Sequence, residues 1–253
     1  MEIIKSKFRI PYHRTRSFIL RIRWSLFGKK PNDFYKIPII INNFNRLTYL
    51  KLLIESLTTR GYNNIYIIDN ASTYPPLLEF YESCPHKVFR LSENIGYLSL
   101  WKKKIHKQFR NKYFVYTDSD LLIHTDCPNN FMEYFYSIMR RRKNAQKVGF
   151  SLSIDDLPDS YNHKNEVVAW EQRFWKKEVE KGIFSAPIDT TFALYRPFVK
   201  GSANPNVEQL RIGYPYVVHH LPWYIDSNSM SEEDIYYTKT VTTSTHWTQK
   251  QKK

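Results

Sequence analysis

The chain has 253 residues, of which 42% are hydrophobic and 16% aromatic, and its formal net charge is +14. This length and hydrophobic content allow one large buried core. The two cysteines, Cys84 and Cys127, are too few for a disulfide framework and lack the spacing of a zinc site. This cysteine usage favours a reducing, cytoplasmic setting.

The positive charge is concentrated at the two ends of the sequence. Residues 5–30 contain nine Lys or Arg and no acidic residue, and Lys250, Lys252 and Lys253 lie at the other end. The rest of the chain is nearly neutral. A nucleic-acid groove would need basic residues interleaved through the fold, so we expect no nucleic-acid partner.

The basic segment 5–30 does not have the pattern of a membrane span. Arg21 and Arg23 interrupt its longest apolar run, which is far shorter than the roughly 20 residues that cross a bilayer. The same charges, and the lack of a small-residue cleavage site after them, argue against a secretory signal. The composition suits either peripheral contact with an anionic membrane or an arm that is flexible or packed on the domain.

Three regions are predicted from these shifts in composition. They are a basic N-terminal arm (1–33), a single catalytic domain (34–247) and a basic tail (248–253). Within the domain we expect a nucleotide-binding half (34–120) and an acceptor half (121–247).

From Tyr35 onward, short β-rich runs alternate with amphipathic helical stretches, which predicts a mostly parallel α/β sheet flanked by helices. In the first half the predicted strands are 36–41, 65–68, 88–91 and 113–117, and the predicted helices are 50–57, 77–81 and 97–109. Gly61 is expected to end the first of these helices. The second half is less regular, with helices at 130–142 and 167–181, strands at 148–154 and 188–195, and a run at 214–224. The sequence from Ser231 to Asp234 predicts a capping box that opens a last short helix.

Four polar residues fall at or just after predicted strand ends: Asn42, Asp69, Asn94 and Asp118. Ligands of parallel α/β sheets bind beyond the carboxyl ends of the strands, where loops converge and helix N-termini offer amide hydrogens to phosphates. We therefore expect these residues to meet at one edge of the sheet.

The triplet Asp118-Ser119-Asp120 follows the fourth predicted strand. Two carboxylates on one tight turn provide hard oxygen ligands, which suit Mg²⁺ or Mn²⁺ that also carries diphosphate oxygens. Such a cation neutralises charge that develops on a nucleotide leaving group.

Four motifs occur in one order over residues 36–120: Ile39 to Arg46, Ile67 to Thr73, Glu93 to Tyr97, and Tyr116 to Asp120. In order and spacing they resemble glycosyltransferase family 2-like proteins. The resemblance implies a GT-A fold, a nucleotide-sugar donor with UDP favoured, a divalent cation, inverting transfer, and an acceptor in a surface polysaccharide or glycoprotein glycan.

The resemblance also implies roles for individual residues. Those that would line the nucleotide or donor pocket are Asn42, Asn43, Asn45, Arg46, Asp69, Asn70, Asn94, Gly96, Asp118 and Ser119. Asp118 and Asp120 would hold the metal. Some GT-A enzymes complete the metal shell with a downstream histidine, and His220 is expected here in preference to His219. If their run is a strand, the two side chains face opposite ways, so only one points into the site.

Inverting transfer needs a carboxylate that takes a proton from the acceptor hydroxyl. Asp189 is the first candidate because it lies near the start of a predicted strand in the acceptor half, and a strand holds geometry well. Glu171 is the second, and Asp155 and Asp156 follow.

Three other classes of protein account for some of these sequence features. A nucleotidyltransferase on sugar phosphates shares the α/β sheet and the carboxylates, but no glycine lies between Gly28 and Gly61 to form a phosphate loop after the first strand. A non-enzymatic membrane or nucleic-acid adaptor accounts for the basic segment but not for the carboxylates. A glycoside hydrolase needs carboxylates on both sides of the sugar, whereas Asp118 and Asp120 share one turn.

Overall fold

The computed structural model describes residues 18–19, 22–26, 30–199, 208–226 and 228–241. Ten strands of these described residues form one sheet. Helices cover both faces. The predicted α/β class with a helix-flanked central sheet is confirmed. Across the described ranges, no helix is both long and apolar enough to span a membrane.

The first half of the chain forms the parallel part of the sheet. Its strands are β1 (Ile39–Asn43), β2 (Ile65–Asp69), β3 (Lys87–Arg90) and β4 (Phe114–Asp118), all paired in parallel. All five residues of β1 are buried, as expected for a central strand covered on both faces. Its side chains alternate between two apolar clusters, with Ile39 and Ile41 in one and Ile40 in the other.

Three helices connect these strands: α1 (Thr48–Thr58), α2 (Pro75–Ser83) and the short α3 (Ser99–Lys102). The apolar face of α1 buries Leu50, Leu53 and Leu57, and Gly61 follows with the positive φ of +88° expected of a helix stop. The predicted helix 97–109 is only partly helical. Its 3-10 turns at Gly96–Leu98 and Ile105–Gln108 flank α3, and Lys104 adopts a left-handed φ of 61° that breaks it.

The second half is a mixed α/β layer. Its helices are α4 (Phe131–Arg141), α5 (Lys164–Glu171) and α6 (Glu232–Thr240), and its strands are β5 (Leu121–Ile123), β6 (Ala145–Leu152), β7 (Glu178–Glu180), β8 (Ile183–Ser185), β9 (Ala193–Tyr195) and β10 (Glu208–His220). β10 pairs in parallel with β6, whereas β9 is antiparallel to both β4 and β6. Across the described residues the strand order of the sheet is β3-β2-β1-β4-β9-β6-β10-β8-β7, with β5 paired to β10, so the parallel pairing is concentrated in the first half of the chain. The predicted Ser231 capping box is present at α6.

Three other predicted elements also differ from the structure. The first strand begins at Ile39 rather than residue 36, because Phe34–Lys36 forms a 3-10 turn capped by Asp33. The helix predicted over 167–181 ends at Glu171, and β7 and β8 form an antiparallel hairpin around Gly182. Only Ala193–Tyr195 of the strand predicted over 188–195 is a strand, so Asp189 lies in a loop.

The regions outside the predicted domain (34–247) are described only in part. Most of the predicted arm (1–33) and all of the predicted tail (248–253) lie outside the described residues. The arm and tail boundaries stay predictions. Cys84 and Cys127 are both free.

Candidate active site

The carboxyl ends of β1, β2 and β4 meet at one edge of the sheet, as predicted. Asn42 pairs in register with Asp118, and Asn43 pairs with Asp69. The amide of Asn42 connects these strands. Its Nδ2 donates to Asp118 Oδ1 at 3.0 Å, and its Oδ1 accepts from Asn70 Nδ2 at 2.6 Å and from the Ser99 hydroxyl at 2.8 Å. Asn42 therefore fixes the relative position of three strand ends.

The Asn94–Gly96 turn joins this network through Asn70. Asn70 Nδ2 donates to Gly96 O at 3.2 Å, and Asn70 Oδ1 accepts from the backbone N–H of Ile95 at 3.2 Å. Gly96 has a positive φ of 70°, which explains why a glycine stands there. Asn94 is exposed and accepts from Gly96 N–H at 2.9 Å. The turn is thus anchored to the strand edge while its outer side faces solvent.

Asp118 ends β4, and Ser119 and Asp120 form the tight turn to β5. Both oxygens of Asp118 accept hydrogen bonds, one from Asn42 and one from the Thr190 hydroxyl, and Asp118 N–H donates to Thr190 O at 2.9 Å. Ser119 is buried, and its hydroxyl donates to Asn43 Oδ1 at 2.6 Å. These contacts hold the turn so that the carboxylate of Asp120, 27% exposed, faces the edge.

His219 and His220 face opposite ways at the end of β10, as predicted for strand residues. His220 Nε2 lies 3.3 Å from Asp120 Oδ2, and its Nδ1 has no hydrogen-bond partner in the described part of the chain. His219 Nε2 lies 3.0 Å from Asp156 Oδ2 on the other side. Leu221 N–H donates to Asp120 O at 2.8 Å, which ties this strand end to the turn. Of the two histidines, His220 is the one that contacts the Asp118-Ser119-Asp120 triplet.

The two carboxylates of the triplet have opposite protonation tendencies. Burial, with the neighbouring charge of Asp120, raises the pKa of Asp118 to about 8. Burial also acts to raise the pKa of Asp120, but the His220 imidazole and the Arg46 guanidinium outweigh it and hold that pKa below its ordinary value. Two close carboxylates therefore compete for negative charge, a conflict that a divalent cation would relieve.

The side chains of Asp118, Asp120 and His220 could supply part of the ligand set of a divalent cation. Throughout the described ranges, no three His, Cys, Asp or Glu side chains are arranged to hold a metal ion by themselves. Asp120 and His220 do face one another, and each oxygen of Asp118 retains a free lone-pair position beyond its one hydrogen bond. Carboxylate oxygens and one imidazole suit Mn²⁺ or Mg²⁺ if diphosphate oxygens complete the shell.

Asp69 and Asn43 are buried below the edge. Asp69 is 1% exposed, accepts from Ser72 N–H at 3.2 Å and lies 3.7 Å from Arg90 Nε, and burial raises its pKa. Asn43 Nδ2 donates to the Tyr81 hydroxyl at 2.9 Å. Arg90 is the partly exposed partner here, and the sequence did not single it out.

The side chains of Asn45 and Arg46 are held by the loop after β2 and by helix α6. Asn45 Oδ1 accepts from the backbone N–H of Thr73 and Tyr74 at 2.7 and 3.0 Å, and Arg46 forms a buried ion pair with Asp234. The Arg46 guanidinium also lies over the Tyr237 ring, 3.9 Å from its centroid. Asn45 Nδ2 also donates to the Thr240 hydroxyl at 2.9 Å, so two of the residues predicted to line the nucleotide pocket pack against helix α6.

Asp189 is exposed on a loop that is held on several sides. Arg211 Nε donates to Pro187 O at 2.7 Å, and Ile188 N–H donates to Gln209 Oε1 at 2.8 Å. Lys147 Nζ donates to the carbonyls of Ile188 and Asp189, the latter at 3.2 Å. Thr190, the next residue, bonds Asp118. The loop is thus fixed against the Asp118-Ser119-Asp120 triplet even though it is not a strand.

Two of the other predicted base candidates, Glu171 and Asp156, have partners. Glu171 is 2% exposed and forms a buried ion pair with Arg211. Asp156 accepts from the Tyr224 hydroxyl at 2.6 Å and the Ser153 hydroxyl at 3.0 Å, beside His219. Asp155 is exposed just after β6. Of the four carboxylates, Asp189 is the accessible one on a loop bonded to the triplet.

Sequence reasoning missed Thr190, Lys147 and Arg211. Thr190 follows Asp189 directly in the sequence, so the candidate base beside it was the available signal. Lys147 is the one charged residue of β6, and Arg211 is a buried charge within β10; charges at such positions usually have a specific partner.

The sequence matches no protein-family model, and no curated protein sequence matches it significantly. Solved structures similar to the chain include GalNAc-T7 with UDP, GalNAc and Mn²⁺ (14% identity, TM-score 0.48, 75% of this chain and 44% of that one). They also include S. aureus TarS 1-349 (13%, 0.43, 74% and 60%) and Mycobacterium tuberculosis glucosyl-3-phosphoglycerate synthase with phosphoglyceric acid (13%, 0.40, 66% and 62%). The matched regions span less than two thirds of each of these proteins.

Proposed function

We propose that this protein is a glycosyltransferase that moves a sugar from a nucleotide-diphosphate donor to an acceptor hydroxyl with a divalent cation. The observation that carries this proposal is the contact of Asp120 with His220 beside Asp118, at the carboxyl edge of the parallel strands. Parallel sheets bind nucleotides at this edge. UDP-sugars are the favoured donors, by the family resemblance.

Asp120 and His220 are the proposed protein ligands of the cation, and Asp118 contributes through a free lone pair. When bound, Mn²⁺ or Mg²⁺ would neutralise charge on the leaving nucleoside diphosphate. The network of Asn42, Asn70 and Ser99 keeps Asp118 at the strand edge. In this proposal the exposed Asn94 turn shapes the donor pocket. The Asp69–Arg90 pair contacts the base or ribose of the nucleotide.

Asp189 is the proposed general base. Its carboxylate would take the proton of the acceptor hydroxyl as that oxygen bonds to the anomeric carbon and the bond to the diphosphate breaks. Its exposure makes it accessible to an acceptor, and Thr190 links its backbone to Asp118. Lys147, Gln209 and Arg211 hold the loop, so they are positioning residues.

The experiment is a panel of UDP-, GDP- and dTDP-sugars, with and without Mn²⁺, monitored by calorimetric binding and nucleotide release. We expect metal-dependent binding of at least one donor, weakened at least about 100-fold in Asp120→Ala. Asp159→Ala, an exposed aspartate paired with Lys164, is the matched control and should bind like the wild type. Undiminished donor binding in the presence of EDTA would refute the metal role, and no binding of any donor would refute the proposal.

A further inference from the structure

The basic segment carries a small exposed apolar surface. Residues 18–19 and 22–26 are helical, and Phe18, Ile19, Ile22 and Leu26 are 57%, 50%, 43% and 69% exposed. Ile22 and Leu26 are one helical turn apart, so they lie on the same face. Isolated exposed apolar residues are common, but four within nine residues form a patch.

Trp24 attaches this helical stretch to the domain. Its side chain is 9% exposed, its Nε1 donates to Pro197 O at 2.5 Å, and the Arg196 guanidinium lies 4.7 Å from the centroid of its ring. Arg196 is itself fixed, because its Nε donates to Ala145 O at 2.6 Å. One side of the stretch is therefore docked on the protein, while Ile22 and Leu26 point to solvent.

Charge identifies the partner that suits this patch. The nine basic residues of 5–30, with no acidic residue among them, repel a second copy of the same segment. Residues 200–207 and 242–253 also contain no acidic residue, so these parts of the chain offer no complementary charge. Apolar side chains within a basic segment match an anionic bilayer, which accepts the apolar groups and attracts the charges.

We propose that the exposed apolar side chains of the helical residues 18–19 and 22–26 form a docking surface for anionic lipid bilayers. It lies away from the candidate active site. Tyr195, near the Pro197 contact, pairs with Phe114 at the start of β4, whereas Asp118 ends that strand about 13 Å further along. Lipid binding and donor binding are therefore separable, and the inference does not rest on the proposed function.

The test is sedimentation of the full chain with vesicles of phosphatidylcholine alone or mixed with phosphatidylglycerol. We expect binding to the mixed vesicles only, weakening as salt rises. The double variant Ile22→Asp/Leu26→Asp should bind at least about tenfold more weakly. Ile22→Leu/Leu26→Ile keeps the apolar area and should bind like the wild type, as should Tyr214→Ser, which removes an exposed aromatic elsewhere.

Circular dichroism and the thermal midpoint establish that the variants fold, and Ile22→Ser/Leu26→Ser is a second variant in case the aspartates perturb folding. Equal binding of the wild type to both vesicle types, or to neither, would overturn the proposal. So would binding to single-stranded RNA in place of mixed vesicles. Donor binding measured on the same proteins should stay unchanged, so loss of the proposed transferase activity would be a separate result.

Discussion

His220 Nε2 lies 3.3 Å from Asp120 Oδ2, so the end of β10 and the turn after β4 meet at one point. The neighbouring His219 contacts Asp156 instead. This pair of adjacent histidines, one towards the triplet and one away from it, gives an internal control for the metal role.

We expect His220→Ala to weaken Mn²⁺-dependent donor binding about 10- to 100-fold, because the cation would lose its imidazole ligand. His219→Ala should change it less than about threefold, since that ring lies on the other side of the strand. The measurement is a Mn²⁺ titration of donor binding by calorimetry. Equal effects of the two substitutions would remove His220 from the metal site.

Substitutions of Asp189 and Glu171 should have different effects, the first on the transfer rate and the second on the free energy of unfolding. Asp189→Asn should retain donor binding and lose about 10²- to 10⁴-fold in transfer rate, because the acceptor proton has no base. Glu171→Gln leaves Arg211 buried without its counter-charge and should lower the free energy of unfolding by roughly 3–5 kcal/mol. The folded Glu171→Gln protein should still transfer sugar. Transfer retained by Asp189→Asn and lost by folded Glu171→Gln would assign the base to Glu171.

Lys147 should give a pH dependence of stability. Burial lowers its pKa to about 7, below the value in an unfolded chain, so the unfolded state binds more protons between these two values. Stability should therefore rise with pH above about 7, and the benefit should be lost as pH falls through 7. In Lys147→Met this contribution is absent. Urea unfolding from pH 6 to 9.5 should show a slope difference of up to about 1.4 kcal/mol per pH unit. Parallel plots of unfolding free energy against pH for the wild type and Lys147→Met would contradict this prediction.

Glu233 should stabilise the start of α1. Its carboxylate accepts from the N–H groups of Leu47 and Thr48, at 3.1 and 3.0 Å, which are otherwise unpaired at a helix N-terminus. Glu233→Gln should reduce the free energy of unfolding by about 1–2 kcal/mol. The adjacent exposed Glu232→Gln is the matched control and should stay within about 0.5 kcal/mol. Equal urea midpoints for the two variants would show that α6 does not cap α1.

The local pattern of the first half determined most of its fold. Strands β1 to β4 are short β-rich runs between turn signals, and β1, β2 and β4 are also largely buried, so the type and order of all four were predicted with shifts of a few residues at the ends. The convergence of Asn42, Asp69 and Asp118 followed as well, because parallel strands place their carboxyl ends at the same edge. The opposite orientation of His219 and His220 needed only the two-residue period of a strand.

The tertiary structure decided what depends on contacts between distant parts of the chain. The loop of Asp189 has few backbone bonds of its own and is held by Lys147, Gln209 and Arg211, which are remote in sequence. Arg46 and Glu171 have the residue types expected of a site, but ion pairs with Asp234 and Arg211 bury them. Propensity and periodicity report each residue's near neighbours, whereas long-range packing determines which charged side chains stay accessible.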